Sequence, residues 1–383
     1  MTPIPLSLYI HIPWCIKKCP YCDFNSHQIT GDLPEQAYIQ ALLKDLENEL
    51  PAIWGRRLES VFIGGGTPSV FSAKAIEQLL SGLRALLPIR SRMEITLEAN
   101  PGTFEQQRFE AYRQAGINRL SIGIQSFNAN HLKSLGRIHN GEEAAHAAEI
   151  AKNAGFENFN LDIMFGLPQQ SSTQALADLQ QAIDCNAAHI SWYQLTLEPN
   201  TLFHYAPPVL PNDEALWDMQ QQGQALLQKA GFEQYEVSAY ARKQAGMDKR
   251  CRHNMNYWQF GDYIGIGAGA HGKITAPDGS IQRYSKYRQP KQYMQQVGAD
   301  NGRSSQQLLE KAEIPFEFML NALRLKQGVA SELFVQRTHL ALSEIEGKLE
   351  QLAKMGLITF NKQRIVTTSK GWDFLNDTIE AFI

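Results

Sequence analysis

Short apolar segments alternate with longer amphipathic segments through the first 230 residues of the chain. The short segments are rich in branched and aromatic residues, as strands are, and the longer ones carry apolar residues at a helical period. This alternation predicts an α/β fold. We predict strands at 6–10, 60–63, 93–97, 119–124, 160–164 and 189–193, and helices at about 34–50, 72–87, 103–115, 140–154, 171–185 and 212–230.

Six consecutive strand–helix units predict a parallel sheet with right-handed crossovers. They fit an open, partial (β/α)6 barrel better than a closed barrel of eight units. Gly116 and Gly155 stand where two of the helices should end. Three helix starts carry a capping residue followed three positions later by Glu or Gln: Thr103 with Gln106, Asn140 with Glu143, and Ser171 with Gln174.

The pattern changes after about residue 240 and predicts three regions. Residues 1–240 form the partial barrel, 241–303 an irregular segment, and 304–383 a mainly helical module. Two helices followed by a hairpin signal make this last module winged-helix-like. From residue 301 onward it has ten basic and ten acidic residues. A wing that reads DNA would be basic, so we interpret the module as a lid or a partner surface.

Composition narrows the class of protein. The 383 residues include 36 basic and 39 acidic residues, for a net charge of −3, and 43% are apolar. The apolar fraction excludes a wholly disordered chain, and the charge argues against a nucleic-acid binder. No apolar run is long enough to cross a membrane. The first residues lack the pattern of a secretory signal, so we expect a cytoplasmic protein.

Three of the five cysteines lie close together, directly after the first predicted strand. Cys15, Cys19 and Cys22 have the spacing C-x3-C-x2-C. Three thiolates can bind three irons of a cubane cluster and leave the fourth iron open to a substrate or cofactor. The same spacing also fits a structural zinc site with His11 or His27 as the fourth ligand. The cysteines therefore predict a metal centre rather than a disulfide framework.

Polar and glycine residues mark the ends of the other predicted strands. Gly64, Gly65, Gly66 and Thr67 end the second strand, where glycines allow a ligand to approach the backbone closely. Active sites of parallel α/β folds lie at this carboxyl edge. We expect a site here that also includes Glu98 after the third strand, Gln125 and Arg137 after the fourth, and Asp162 in the fifth.

The cysteine spacing together with the glycine run resembles the radical S-adenosylmethionine (radical SAM) superfamily. The resemblance implies a [4Fe–4S] cluster on Cys15, Cys19 and Cys22. Its open iron would hold the amino and carboxylate groups of SAM, and electron transfer would yield a 5′-deoxyadenosyl radical. The glycine run would bind the methionyl amino group.

Four segments, 8–15, 64–68, 121–127 and 162–168, narrow the resemblance to the oxygen-independent coproporphyrinogen III oxidase family. This likeness covers roughly residues 6–275. By resemblance, Arg137 pairs with a carboxylate and Thr196 lines a second pocket. The residues implied for SAM are Tyr9, Phe24, Gly64, Gly65, Gly66, Thr67, Glu98, Gln125, Arg137, Asp162 and Thr196.

Two departures separate this chain from the dehydrogenase of that family. The dehydrogenase has a further cysteine two residues after the third, where this chain has Phe24, and it has a long extension before the cluster. Both departures match the related HemW-type heme chaperones. Residues 253–258 also resemble the H-N-x-x-Y-W motif of that group, which is associated with heme binding.

The chemistry of this motif allows two interpretations. His253 can ligate heme iron or bond covalently to the porphyrin, while Tyr257 and Trp258 offer flat apolar surface. Alternatively, His253 is a hydrogen-bonded loop histidine and the aromatic residues belong to the core. Cys251 is a second candidate ligand, and Cys185 is an ordinary buried thiol.

The function that follows from the resemblance is a heme chaperone. It would use a [4Fe–4S] cluster and SAM, bind heme near His253, and transfer the heme to acceptor hemoproteins such as respiratory-chain components. The alternative is coproporphyrinogen III dehydrogenase, which decarboxylates two propionates to vinyl groups, and a third possibility is a structural zinc protein. Homodimer formation and transient membrane association stay open.

Overall fold

The computed structural model describes residues 4–90, 92–102, 105–244 and 246–383. Strands and helices alternate through the first 230 residues. In chain order they are β1 Leu6–Ile12, β2 Trp14–Cys15, β3 His27–Gln28, α1 Glu35–Ile53, β4 Leu58–Gly65, α2 Ala73–Leu86, β5 Glu94–Ala99, α3 Glu105–Ala115, β6 Arg119–Gln125, α4 Ala129–Ser134, α5 Gly141–Asn153, β7 Phe159–Phe165, α6 Ser172–Asp184, β8 His189–Gln194, α7 Leu202–Tyr205 and α8 Asp213–Lys229.

The rest of the chain contains shorter elements. Strands dominate up to residue 308, and helices dominate after it. In chain order they are β9 Phe232–Gln234, β10 Ala239–Arg242, α9 Arg252–Trp258, β11 Asp262–Ile266, β12 His271–Thr275, β13 Ile281–Lys286, α10 Pro290–Gln296, β14 Arg303–Leu308, α11 Ile314–Ala322, β15 Val329–Ala330, α12 Ser331–Thr338, α13 Ser343–Lys354, β16 Ile358–Phe360, β17 Arg364–Thr367, α14 Ser369–Asp373 and α15 Leu375–Glu380.

One sheet of twelve strands organises the molecule, in the order β14-β13-β12-β11-β1-β4-β5-β6-β7-β8-β10-β9. The seven strands from β11 to β8 in this order are parallel, and the outer strands are antiparallel. β1 lies inside the sheet, between β11 and β4. The carboxyl ends of the parallel strands therefore meet at one edge, where α/β folds place their sites.

The predicted strand–helix alternation is confirmed. All six predicted strands and all six predicted helices are present, and the α/β partial barrel is the observed core. Asn140 and Ser171 form reciprocal capping boxes at the starts of α5 and α6. Gly116 and Gly155 have positive φ angles of 115° and 84° after their helices. The predicted cap at Thr103 lies outside the described residues.

Residues 241–303 correct one sequence expectation. We predicted an irregular segment, but it contains α9, α10 and the strands β11 to β13, and these strands extend the main sheet beyond β1. The pattern was missed because buried polar residues, including Lys273 and Lys286, interrupt the apolar positions of these strands. The division of the chain into three domains stays a prediction.

The C-terminal module has a core of its own. Phe318 of α11, Phe334 of α12 and Leu349 of α13 are buried together, and β16 and β17 form a hairpin to which β15 adds a third strand. The core also includes Phe260 and Ile281 of the preceding segment. The mainly helical, winged-helix-like module is thus present and packs against the extended sheet. No helix among the described residues is long and apolar enough to span a membrane.

A buried ionic cluster joins α1 to the strands beyond β1. Lys286 Nζ donates to Asp45 Oδ1 at 2.5 Å and to Glu49 Oε1 at 2.8 Å, and Arg303 Nη2 donates to Glu49 Oε2 at 2.6 Å. Tyr293 Oη donates to Asp45 Oδ2 at 2.7 Å. Burial raises the pKa of Asp45 to about 6, although Lys286 opposes the shift. The cluster therefore depends on every partner being present.

Replacing Lys286 with methionine should destabilise the fold strongly, because Asp45 and Glu49 would lose their buried cation. We expect the free energy of unfolding of Lys286→Met to fall by about 3–5 kcal/mol. The measurement is urea unfolding followed by circular dichroism. Lys311→Met is the control, since its ion pair with Glu344 is largely exposed and should contribute less than about 1 kcal/mol. Equal losses in the two variants would contradict a structural role for the cluster.

Candidate cofactor site at the strand ends

The cysteine loop lies between β1 and α1, at the carboxyl edge of the sheet. Cys15 is buried in β2, while Cys19 and Cys22 are partly exposed. Burial raises the pKa of the Cys15 thiol, and nearby Cys22 and Cys19 raise it as well, whereas a hydrogen bond with Thr67 lowers it. Burial likewise raises the pKa of Cys22. The three thiols are thus close enough to interact electrostatically, as predicted for one metal centre.

The geometry bears on which metal this loop can hold. In the parts of the chain that the structure describes, no three His, Cys, Asp or Glu side chains converge on a single ion position. A cubane cluster gives each thiolate an iron of its own and needs no such convergence. His11, one proposed zinc ligand, has Nδ1 bonded to Tyr9 Oη at 2.9 Å and Nε2 bonded to the Asn25 carbonyl oxygen at 2.8 Å. The three free thiols of this loop are the donor set that a cluster with one open iron takes.

Arg137 connects the cysteine loop to the ends of three strands. Its Nη1 donates to Cys19 Sγ at 3.7 Å, and its Nη2 donates to Asn100 Oδ1 at 2.7 Å and to the Gly123 carbonyl at 2.6 Å. Asn100 Nδ2 in turn donates to Thr67 Oγ1 at 2.9 Å. Sequence analysis missed Asn100. It could have been found as a polar residue directly after β5, because it lies two positions beyond Glu98 and so on the same face of the strand as Glu98.

The glycine run allows close packing of the cysteine loop. Gly65 has a φ of 121°, and a Cβ there would lie 2.6 Å from the His11 ring. A Cβ at Gly66 would lie 2.6 Å from the carbonyl oxygen of Trp14. The Gly65 amide donates to Glu98 Oε2 at 3.0 Å, so this backbone amide has a carboxyl partner. The glycines and Glu98 form one unit at the ends of β4 and β5.

Glu98 and Asp162 are half-buried residues of β5 and β7, and the charge of Asp162 acts on the carboxyl of Glu98. Burial and the nearby charge of Asp162 raise the pKa of Glu98 to about 8, despite the hydrogen bond from Gly65. Burial also raises the pKa of Asp162, which accepts hydrogen bonds from Ser121 at 3.0 Å and Asn160 at 2.8 Å. A buried carboxyl with a raised pKa gains a partner when a cationic group binds beside it.

Gln125 lies with the other predicted residues at the strand edge, whereas Thr196 lies apart from them. Gln125 ends β6 with a φ of 70°, an unusual value for a residue other than glycine. Its Oε1 accepts a hydrogen bond from Tyr193 Oη at 2.8 Å, which holds the side chain at the strand edge. Thr196 is exposed beyond β8 and lines neither of the two cavities next to the cysteine loop. The structure thus brings Gln125, but not Thr196, into the group of predicted residues.

Two cavities flank the cysteine loop. The smaller, of about 340 Å³, is lined by Cys19, Thr67, Asn100 and Arg137 on the side of α3 and α5. The larger, of about 740 Å³, lies between the barrel mouth and the residues after 256. Its barrel side includes Tyr9, His11, Phe24, Gly65 and Glu98, and its other side includes Tyr257, Trp258, Tyr263, His271, Arg283 and Arg288.

His253 does not line the larger cavity. It is 1% exposed, its Nδ1 bonds to Ser60 Oγ at 3.0 Å, and its Nε2 bonds to Tyr257 Oη at 3.1 Å. Burial lowers its pKa to about 3. Cys251 is also buried beside Glu94, and burial raises its pKa to about 12. Only the aromatic part of the motif, Tyr257 and Trp258, reaches the cavity, so direct heme ligation by His253 stays a prediction.

Asn25 ties the cysteine loop to the far wall of the larger cavity. Its Nδ2 donates to the Ala268 carbonyl at 2.8 Å and to the Arg288 carbonyl at 2.9 Å. Phe24, the preceding residue, is 61% exposed on the cavity wall. Sequence analysis missed Asn25, Arg283 and Arg288, because only the fold brings these residues to the strand edge.

Comparisons with known proteins agree with this architecture. Residues 9–180 match the radical SAM superfamily, and residues 309–374 match the HemN C-terminal domain. The chain is 51% identical over 381 residues to the heme chaperone HemW of Escherichia coli strain K12, covering 99% of this chain and 98% of that protein. It is 50% identical over 383 residues to the heme chaperone HemW of Haemophilus influenzae, with coverage of 99% and 98%.

A solved structure gives an independent match of the fold. The chain superposes on coproporphyrinogen III oxidase (HemN) from Escherichia coli, a radical SAM enzyme, with a TM-score of 0.83. The superposition covers 99% of this chain and 90% of that chain, at 23% identity. At this identity the likeness establishes the shared fold.

The raised pKa of Glu98 predicts a pH dependence of stability in the protein without cluster or SAM. Folded Glu98 keeps its proton up to about pH 8, whereas the carboxyl of an unfolded chain releases it near the ordinary value of 4.5. Between these values the folded state binds the additional proton, so the free energy of unfolding falls as pH rises. Glu98→Gln should therefore lose less stability than wild type between about pH 5 and pH 8.

Urea unfolding at a series of pH values measures this difference. Glu110→Gln, an exposed substitution on α3, is the matched control and should follow the wild-type profile. If Glu98→Gln also followed it, the buried carboxyl would be ionised throughout this range.

Proposed function

The chain belongs to the HemW family of the radical SAM superfamily, and on this premise we propose that it is a heme chaperone, which binds heme and transfers it to acceptor hemoproteins. The observation that carries the proposal is the cavity of about 740 Å³ beside the cysteine loop. Its volume suits a large cofactor, and Tyr257 and Trp258 of the sequence motif line it. The flat aromatic surfaces offer the apolar contact that a porphyrin ring needs.

The family's cofactors are a [4Fe–4S] cluster and SAM. Cys15, Cys19 and Cys22 would hold the cluster and leave one iron open for SAM. When bound, the pair supplies one-electron chemistry that can cleave SAM. Arg137 beside Cys19 supplies a cation for the carboxylate of SAM, and the carboxyl of Glu98 beside Gly65 would ionise as the amino group of SAM binds next to it.

We propose SAM contacts at the strand ends. Tyr9, Phe24 and Glu98 face the larger cavity, and Thr67 and Arg137 face the smaller one. The full set consists of Tyr9, Phe24, Gly64, Gly65, Gly66, Thr67, Glu98, Gln125, Arg137, Asp162 and Thr196. Thr196 is the member with the least structural support, because it lies outside both cavities.

His253 contributes to heme binding, in our proposal, by positioning Tyr257. The hydrogen bond that Tyr257 Oη donates to His253 Nε2 and the edge contact of the two rings, with centroids 4.8 Å apart, fix the aromatic wall. Direct ligation through Nε2 would require the hydrogen bond with Tyr257 to break and the ring, which is 1% exposed, to become accessible. A positioning role, in contrast, keeps the observed hydrogen bonds of His253 with Ser60 and Tyr257.

Heme delivery completes the proposed function. We propose acceptors among cytoplasmic or membrane-associated hemoproteins, such as respiratory-chain components. We further propose that the chain is cytoplasmic and that it delivers heme as a homodimer or through transient membrane association.

Cys19→Ser should abolish the cluster, because a serine hydroxyl is a poor substitute for a thiolate ligand of iron. After anaerobic reconstitution, we expect iron, acid-labile sulfide and visible absorption to be lost. Cys185→Ser, at the end of α6, is the matched control and should retain all three. Full iron content in Cys19→Ser would remove this cysteine from the ligand set.

Purified, reconstituted protein should bind heme and pass it to a heme-depleted respiratory-chain hemoprotein. Absorption titration measures binding, and recovery of acceptor activity measures transfer. His253→Gln should weaken binding about tenfold, the effect of roughly one hydrogen bond. His189→Gln is the control, since His189 is a buried histidine bonded to Asn160 and Tyr235 away from the cavity. Absence of heme binding in wild type, or anaerobic conversion of coproporphyrinogen III, would overturn the proposal.

A further inference from the structure

Basic side chains line one wall of the larger cavity. In the antiparallel pair β12–β13, His271 lies opposite Ser285, and Lys273 lies opposite Arg283. Alternate residues of a strand share a face, so these four side chains point to the same side, and all four line the cavity. Arg288, in the loop after β13, lines it as well.

Two of the basic groups on this wall serve the fold. Lys273 is buried, and its Nζ donates to Asp262 Oδ1 at 3.0 Å and to the Phe260 carbonyl at 3.1 Å. Lys286 is buried within the ionic cluster of Asp45 and Glu49. Neither lysine is available to a ligand without loss of a buried ion pair.

Three groups remain with binding capacity. Arg283 pairs with Glu317 through Nη2 and its Nε is buried without a partner among the described residues, so Nη1 is the nitrogen that it can offer to a ligand. The side chains of Arg288 and His271 are exposed, and neither forms a hydrogen bond or an ion pair with the residues that the structure describes. His271 and Arg283 lie on one face of the paired strands β12 and β13, and Arg288 follows β13 on the same cavity wall.

We propose that this wall is the heme site, with Arg283 and Arg288 binding the propionates and His271 ligating the iron. The proposal rests on the heme-binding function proposed above and assigns the residues that perform it. Guanidinium groups bind carboxylates through paired hydrogen bonds. Tyr257 and Trp258 face the porphyrin from α9, and Phe24 faces it from the cysteine loop.

The protonation state of His271 suits iron. Although the residue is exposed, partial burial of its ring lowers its pKa, and the charges of Arg283 and Arg288 lower it further, so the ring is neutral near pH 7. Neutral imidazole is the form that ligates metals. The other histidine on the cavity wall, His11, has both ring nitrogens hydrogen-bonded, as does His253 beneath it. His271 is thus the histidine on this wall whose nitrogens need no existing hydrogen bond to break.

Two carboxyl groups, Asp23 and Glu98, also line the cavity. Asp23 belongs to the cysteine loop, and burial keeps Glu98 protonated over much of the neutral range. The β12–β13 wall therefore presents the positive charge, and the propionate edge of the porphyrin should turn toward it.

The first experiment compares full-length, cluster-reconstituted wild type with His271→Ala in a heme titration. We expect His271→Ala to change the absorption and electron paramagnetic resonance spectra of the bound heme, and to release heme about tenfold faster. Added imidazole should restore the wild-type spectrum. His146→Ala, an exposed change on α5, is the matched control and should leave the spectra unchanged.

The second experiment compares heme with its dimethyl ester, which lacks the carboxylates. Arg288→Gln, and the double variant with Arg283→Gln, should bind heme about tenfold or more weakly and the ester as wild type does. Arg364→Gln, an exposed change in the C-terminal hairpin, is the control. Arg288→Gln alone keeps the Arg283–Glu317 pair, so it tests the proposal even if the double variant is unstable.

The outcomes separate the two proposals. If wild type binds no heme, the proposed function fails, and the heme site with it. If wild type binds heme and His271→Ala keeps its spectrum, the iron ligand is a different residue and the assignment of His271 is wrong. Equal losses for heme and ester in the arginine variants would overturn the assignment of the propionate site.

Discussion

The parallel pairing of β1 with both β4 and β11 determines where every candidate cofactor residue lies. β4 and the strands after it bring the glycine run, Glu98 and Gln125 to the carboxyl edge where the cysteine loop begins. β11 brings the second half of the chain to the same edge from the opposite side. The larger cavity exists because these two groups of strands meet across β1.

Sequence patterns were sufficient for the parallel core and for the position of the three cysteines in one loop at its carboxyl edge. Strands buried on both faces read as apolar runs, and the helices between them carry capping residues and terminal glycines, so local signals agreed with the final fold. Strands β11 to β13 gave no such signal. Their buried lysines, Lys273 and Lys286, are tolerated only because distant carboxylates at Asp262, Asp45 and Glu49 neutralise them, and a local pattern cannot reveal a distant partner.

The motif at 253–258 illustrates the same limit for the site. The spacing of the motif identified its residues, but the directions in which their side chains point depend on how α9 packs against β4. The helix turns His253 toward Ser60 and the ring of Phe62, and turns Tyr257 and Trp258 toward the cavity. The motif therefore indicated the part of the chain that contributes to the cavity. Which histidine nitrogens are free of hydrogen bonds there depends on the fold.

Asn25 joins the cysteine loop to the opposite wall of the larger cavity. Asn25 lies three residues after Cys22. Its side-chain amide donates to the carbonyl oxygens of Ala268 and Arg288, and its own carbonyl oxygen accepts a hydrogen bond from His11. A change that orders the cysteine loop should therefore also order the opposite cavity wall. The reverse holds as well, because the coupling between two such regions is reciprocal. Whatever fixes the cysteine loop in place therefore also restricts the shapes that the larger cavity can adopt.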